Sequence, residues 1–198
     1  MIENCADILL RPVQVGKTQK VNCFLIYIEV AVSNLMLEDS VIGKLLNRLL
    51  EMEPEQIYGA LEKNSLGISD TSELADMQEA MAAMFAGNAV LFVDGYDRAI
   101  KIGSKGYPGA GVRKAESEKV MRGSQDAFCE AVKVNTALIR KRIRNTDMKV
   151  EERPVGQYSQ TMTALLYLDG VVYPPVCHEL KKRLDSFEID GVEDGGVI

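Results

Sequence analysis

The sequence predicts a mixed α/β fold arranged as two small lobes, each a hairpin or small mixed sheet covered by helices, and three observations carry this. The segment VGKTQKVNCFLIYIEVAV (15–32) returns without gaps as VGQYSQTMTALLYLDGVV (155–172). Each copy reads as two strands joined by a polar turn led by glycine, and each runs on into a helical stretch. Between them lies GSKGYPGAGVRKAESE (103–118), rich in glycine and without periodicity, which reads as the linker. The lobes are therefore expected at 1–112 and 113–198.

The repeat shares Val15/Val155, Gly16/Gly156, Leu25/Leu165, Tyr27/Tyr167, the acids Glu29/Asp169 and Val32/Val172. A third apolar strand, AVLFVDG (89–95), resembles ALLYLDG (164–170) and runs through an Asp94-Gly95-Tyr96-Asp97 turn into RAIKIG. These strands have no polar face, so each is expected to be covered on both sides, or on one side by helices and on the other by another lobe. Helices to cover them are predicted over 35–52, 54–63, 70–86, 124–144 and 174–186, with Ser33, Asp70 or Thr71, and Ser124 as N-caps.

The 198 residues are 46% apolar and 26% charged, which suits an ordinary globular chain. The net charge of −6 argues against nucleic acid and anionic membranes as partners. Charge is uneven: residues 113–149 carry ten Lys/Arg against five Asp/Glu, and the rest is strongly acidic. Opposed fields of this kind favour contacts between lobes or subunits. Cysteines 5, 23, 129 and 177 show neither C-x-x-C nor metal-ligand spacing and read as free thiols. The start, MIENCADILL, is not a signal peptide, and the apolar run 21–37 is interrupted by Glu29 and two asparagines.

Little in the sequence points to catalysis. Glu29, Asp94 and Asp169 stand at strand ends, where ligands gather in open α/β sheets, but Asp-Gly also makes an ordinary turn. The lone histidine, His178, sits among Lys181, Lys182 and Arg183 and is expected in solvent. GYPGAGVRK lacks the G-K-[ST] of a phosphate-binding loop. No enzyme activity, cofactor or metal is expected.

The remaining feature is the basic end of 124–144. Acids early (Asp126, Glu130) and bases late (Arg140, Lys141, Arg142, Arg144) suit a helix dipole. Phe128, Ala131, Val132, Leu138 and Ile139 form an apolar stripe, on which Asn135 and Arg142 also fall. Both are expected to face inward, with Asp94, Asp97 or Asp169 as partners for Arg142, while Arg140 faces out.

EKVMRGSQDAFCEAVKVNTALIRKRIRNTDMKVEERPVG (118–156) resembles the GerA-type spore germination proteins, the A subunits of germinant receptors. The match rests on Arg122, Gly123, Phe128, Glu130, Asn135, Leu138, Ile139, Arg140, Arg142, Arg144, Val155 and Gly156. DGYDRAIKI before it and YLDGVVYPPVCHELKKRLDSFEIDG after it are similar to the family's adjoining stretches, and YPG (107–109) is similar to the stage V sporulation protein AF branch. Lys114-Ala115 departs from an acidic residue and proline common there. The resemblance implies a soluble N-terminal region on the cytosolic face of a spore inner-membrane protein. It also implies assembly with other receptor subunits, a homo-oligomer in the full-length protein, and a part in nutrient-triggered ion release. Arg122, Asn135, Arg140, Arg142, Asp94 and Asp169 are the candidate residues for assembly or for a small nutrient ligand held between lobes.

Overall fold

A computed structural model describes residues 2–33, 35, 37–63, 70–107 and 126–192. Strands β1 (Ile8–Val15) and β2 (Val21–Ile28) form the first hairpin. Next come α1 (Leu37–Leu46, π-wound), α2 (Asn47–Leu50) and α3 (Pro54–Glu62). They are followed by β3 (Thr71–Leu74), α4 (Met77–Phe85), β4 (Ala89–Val93) and β5 (Ala99–Ile102). The second half holds α5 (Val132–Arg142), the hairpin β6 (Met148–Val155) and β7 (Thr161–Leu168), and α6 (Pro174–Asp185).

The first five strands make one antiparallel sheet in the order β1-β2-β4-β5-β3. Side chains alternate across it. Leu25, Leu91 and Ile100 pack with Leu45, Leu49, Ile57 and Leu61 on the side of α1–α3. Ile26, Ile28 and Val90 pack with Ala80, Met84 and Phe85 of α4 on the other. β2 and β4 are thus covered on both faces, as their unbroken apolar sequences require. Each fully buried Leu or Ile contributes roughly 1.5–3 kcal/mol.

β6 and β7 form a separate two-stranded sheet. The sequence repeat is a repeat of geometry. Ile8 pairs with Ile28 and Met148 with Leu168, so both hairpins have the same register at an offset of 140 residues. The turn glycines agree, Gly16 at φ 100° and Gly156 at φ 93°. So do the bonds that close the open ends: Glu29 N–H to Asp7 O (3.0 Å) and Asp169 N–H to Asp147 O (2.8 Å). Leu37 N–H to Ser33 O, at the start of α1, matches Cys177 N–H to Tyr173 O in α6.

Three expectations need correction. The stretch 70–86 is not one helix: Thr71–Leu74 is a strand on the edge of β5, and α4 starts only at Met77. Its cap is Asp76, whose carboxylate accepts from Glu79 N–H at 2.8 Å, while Glu79 reaches back to Ala75 N–H at 2.8 Å. This reciprocal pair satisfies two otherwise orphaned donors, which neither Asp70 nor Thr71 does. Likewise α5 begins at Val132 rather than 124, so Asp126 and Glu130 precede the helix and Phe128 is exposed. Ser124 and most of the predicted linker lie outside the described residues. Finally, β7 is covered less completely than expected: none of its residues is buried.

Candidate functional site

The most constrained polar constellation is the seam where the second hairpin and α5 meet the first sheet. Cys5 bridges Val150 in parallel; Ala6 N–H donates to Val150 O at 2.9 Å and Val150 N–H to Asn4 O at 2.8 Å. At its centre is Arg140, fully buried on α5. Its Nε donates to Asp7 Oδ2 at 2.7 Å and its Nη2 to Asp7 Oδ1 at 2.9 Å, a two-pronged pair. Nη1 donates to the carbonyls of Asn145 (3.0 Å) and Met148 (2.9 Å), and the guanidinium lies 5.6 Å from the Phe85 ring centroid. A charge can be buried here because it faces a carboxylate and four of its N–H donors are met.

Arg140 and Arg142 therefore exchange their expected roles. Residues two apart on a helix point to opposite sides, and the buried face of α5 is Thr136, Ala137, Leu138 and Arg140. Arg142 is on the exposed side. Asn135 is half-buried and acts locally: its Nδ2 donates to Cys129 O (2.7 Å) and its Oδ1 accepts from Cys129 N–H (2.8 Å). It thereby pins the segment leading into α5. Asp94 is exposed at the end of β4, and its carbonyl accepts from Tyr58 Oη at 2.9 Å. Asp169 is exposed at the end of β7, with its carboxylate on Gly170 N–H at 3.1 Å. The two acids belong to different sheets. Arg122 lies outside the described residues.

A further ion pair crosses the seam. Glu29 accepts from Lys133 Nζ at 2.7 Å, and this bond raises the lysine pKa. Tyr107 Oη donates to Phe85 O at 2.9 Å, and burial pushes its phenol pKa up. Beside the seam is an open groove of about 570 Å³, with Met77, Met81 and Phe85 of α4 on one side and Arg144 and Asn145 on the other. Sequence reasoning missed both Asp7 and this groove. Asp7 stands before a strand and has no signal of its own.

The second hairpin holds α6 through polar contacts. Glu151 accepts from Tyr167 Oη and Lys181 Nζ, both at 2.6 Å, and Arg153 pairs with Asp185. Burial alone would raise the Glu151 carboxyl, but the Lys181 and Tyr167 hydrogen bonds outweigh it and hold it below the ordinary carboxylate range. α6 buries no residue. All four cysteines are free; burial, then Asp94, pushes the Cys23 thiol up to about 11. His178 is exposed. Among the described residues no helix is long and apolar enough to cross a membrane, and no acid, His and Cys cluster could hold a metal.

This two-sheet α/β fold is shared with a solved receptor domain, the N-terminal domain of the A subunit of the Bacillus megaterium spore germinant receptor GerK3. The TM-score is 0.67 over 93% of this chain and 67% of that one, at 21% identity. The chain belongs to the Bacillus/Clostridium GerA spore germination protein family, whose model matches residues 1–198. Among its relatives are an uncharacterized membrane protein, YfkQ, of Bacillus subtilis (strain 168), at 31% identity over all of this chain, and spore germination protein KA of the same strain, at 26%. The chain spans 38% and 36% of the length of these two relatives.

Proposed function

We propose that this region is an assembly and signal-transmission domain of a germinant-receptor type complex, placed on the cytosolic face of a spore membrane and contacting other receptor subunits. The observation that carries the reading is the Arg140 seam. A hinged binder needs an interface that opens at low cost, whereas this one couples a fully buried guanidinium to a buried carboxylate and adds backbone pairing at Cys5–Val150. Separating the halves would strand both charges, so the two units move as one body and can pass on a displacement.

Exposed apolar side chains gather at the second unit, where Val171, Tyr173, Val176 and Leu180 stand on and before α6. A partner subunit would cover such a surface. The reading involves no catalysis and no cofactor.

The alternative is a small nutrient held in the groove, with an apolar wall from Met81 and Phe85 and a polar anchor in Arg144. Thermal denaturation against a millimolar panel of amino acids and sugars separates the two. A ligand at 100 times its dissociation constant stabilises by about 2.7 kcal/mol, a readily visible shift. The assembly reading expects no saturable shift, together with co-purification with other receptor subunits. A saturable shift with one nutrient, lost in Arg144→Ala, would replace it with direct binding.

A further inference from the structure

The two hairpins share one register but not one neighbourhood. In the first, the outer edge of β2 is occupied: β4 pairs with it antiparallel, from Cys23–Val93 to Ile26–Val90, and Asp94 N–H adds a bond to Asn22 O at 2.8 Å. In the second, no strand pairs with the corresponding edge of β7 among the described residues.

β7 is not written as an edge strand. Natural edges are blunted by charge, proline, bulges or shortness. β1, at the edge of the large sheet, carries Arg11 and Pro12, and β6 carries Lys149, Glu151, Glu152, Arg153 and Pro154. β7, TMTALLYL, has eight residues, no charge and no proline, and its pairing with β6 runs without a bulge. In composition it matches β2, an inner strand.

The orientation of its free groups follows from the register. Asn22 O points to β4, so in the first hairpin Asn22, Phe24 and Ile26 aim outward; the equivalents are Met162, Ala164 and Leu166. The bond from Asp169 N–H to Asp147 O agrees, since it sends the odd-numbered residues inward to β6.

We propose that the Met162–Leu166 edge of β7 is a docking site for an apolar strand of β4-like chemistry, antiparallel to it, supplied by the same polypeptide beyond this region. The 140-residue offset that relates the hairpins would carry β4 (Ala89–Val93) to a position roughly 30 residues past Ile198. The relatives are long enough to hold such a strand, since this chain spans 38% of one of them, and it covers only 67% of the solved neighbour. The second unit would then be completed by strand addition, as the first is by β4. None of this depends on the receptor reading.

Amide hydrogen exchange tests it on two chains: the 198 residues, and the polypeptide extended past Ile198 along its reading frame. In the 198-residue chain the amides of Met162, Ala164 and Leu166 are expected to exchange fast while those of Thr163, Leu165 and Tyr167 are slow. In the longer chain the first three gain about 100-fold or more in protection. Ala164→Pro removes an outward N–H only, so it should leave the short chain folded and abolish the gain in the long one. Equal protection in both chains would overturn the proposal. So would protection that rises with concentration of the short chain, which would mean a second copy, protection that needs another subunit, or a reading frame that stops at Ile198.

Discussion

The hairpin β1–β2 and the hairpin β6–β7 have the same strand lengths, pairing, turn glycine and closing bond, yet β2 is mostly buried and no residue of β7 is. Local chemistry accounts for what they share. A glycine at positive φ and eight matched residues on each side fix register without help from the rest of the fold. Context accounts for the difference. β2 has β4 on its edge, α1–α3 over one face and α4 over the other, whereas β7 meets α5 and an α6 held by polar contacts. Hairpin geometry is thus a local property, and stability is conferred by what is laid over it.

Matched substitutions at equivalent positions can break that comparison, and the largest effect is expected at Asp7 and Asp147. Asp7→Ala strands the buried Arg140 and should cost about 3–5 kcal/mol in denaturant unfolding. Asp147 is its exposed counterpart, bonded to Asn145 Nδ2 at 3.1 Å, and Asp147→Ala should cost less than about 1 kcal/mol. Equal losses would mean that the seam is no more than surface. Arg140→Ala should likewise cost far more than Arg142→Ala.

The next pair is Leu25 and Leu165. Leu25 is fully buried, so Leu25→Ala should cost about 2–5 kcal/mol by transfer and cavity terms together. Half-exposed Leu165 should lose only about 1 kcal/mol on the same change, because less area leaves water and the site is open to it.

The smallest effect is a pH dependence in the docking of α6. The folded Glu151 carboxyl lies below its ordinary value, so its contribution is fully present above the unfolded value of about 4.3 and is lost as pH falls through the lowered folded value. Below that pH, α6 should loosen from the hairpin at a cost of about 1 kcal/mol or less, seen as faster exchange of α6 amides. Glu151→Gln should remove the dependence. An α6 response that persists unchanged in Glu151→Gln would contradict the assignment.

The sequence made the duplication legible through Gly16/Gly156, Leu25/Leu165 and Tyr27/Tyr167, which stand at equivalent positions of the two hairpins, the glycines at positive φ in both turns. β3 was not legible: TSELADMQEAMAAMF has a helical composition throughout, and only the edge offered by β5 makes its first four residues a strand. The buried arginine was hidden for a related reason. Starting α5 at 124 and following Asn135 and Arg142 selects one face, but the true inward face is marked by Thr136, Ala137 and Arg140, and its partner is 133 residues away. Among the strand-end acids, Asp169 bonds its own turn while Glu29 reaches Lys133, and nothing in their sequence separates those outcomes.

The central claim is that the Arg140 seam makes the two units one body. Spin labels placed on α3, at Glu55, and on α6, at Glu179, report it directly through their distance distribution with and without the nutrient panel. The account predicts one narrow distribution that no nutrient shifts and that broadens in Asp7→Ala. A broad or two-peaked distribution in the unaltered chain, or a clear shift with one nutrient, would contradict it.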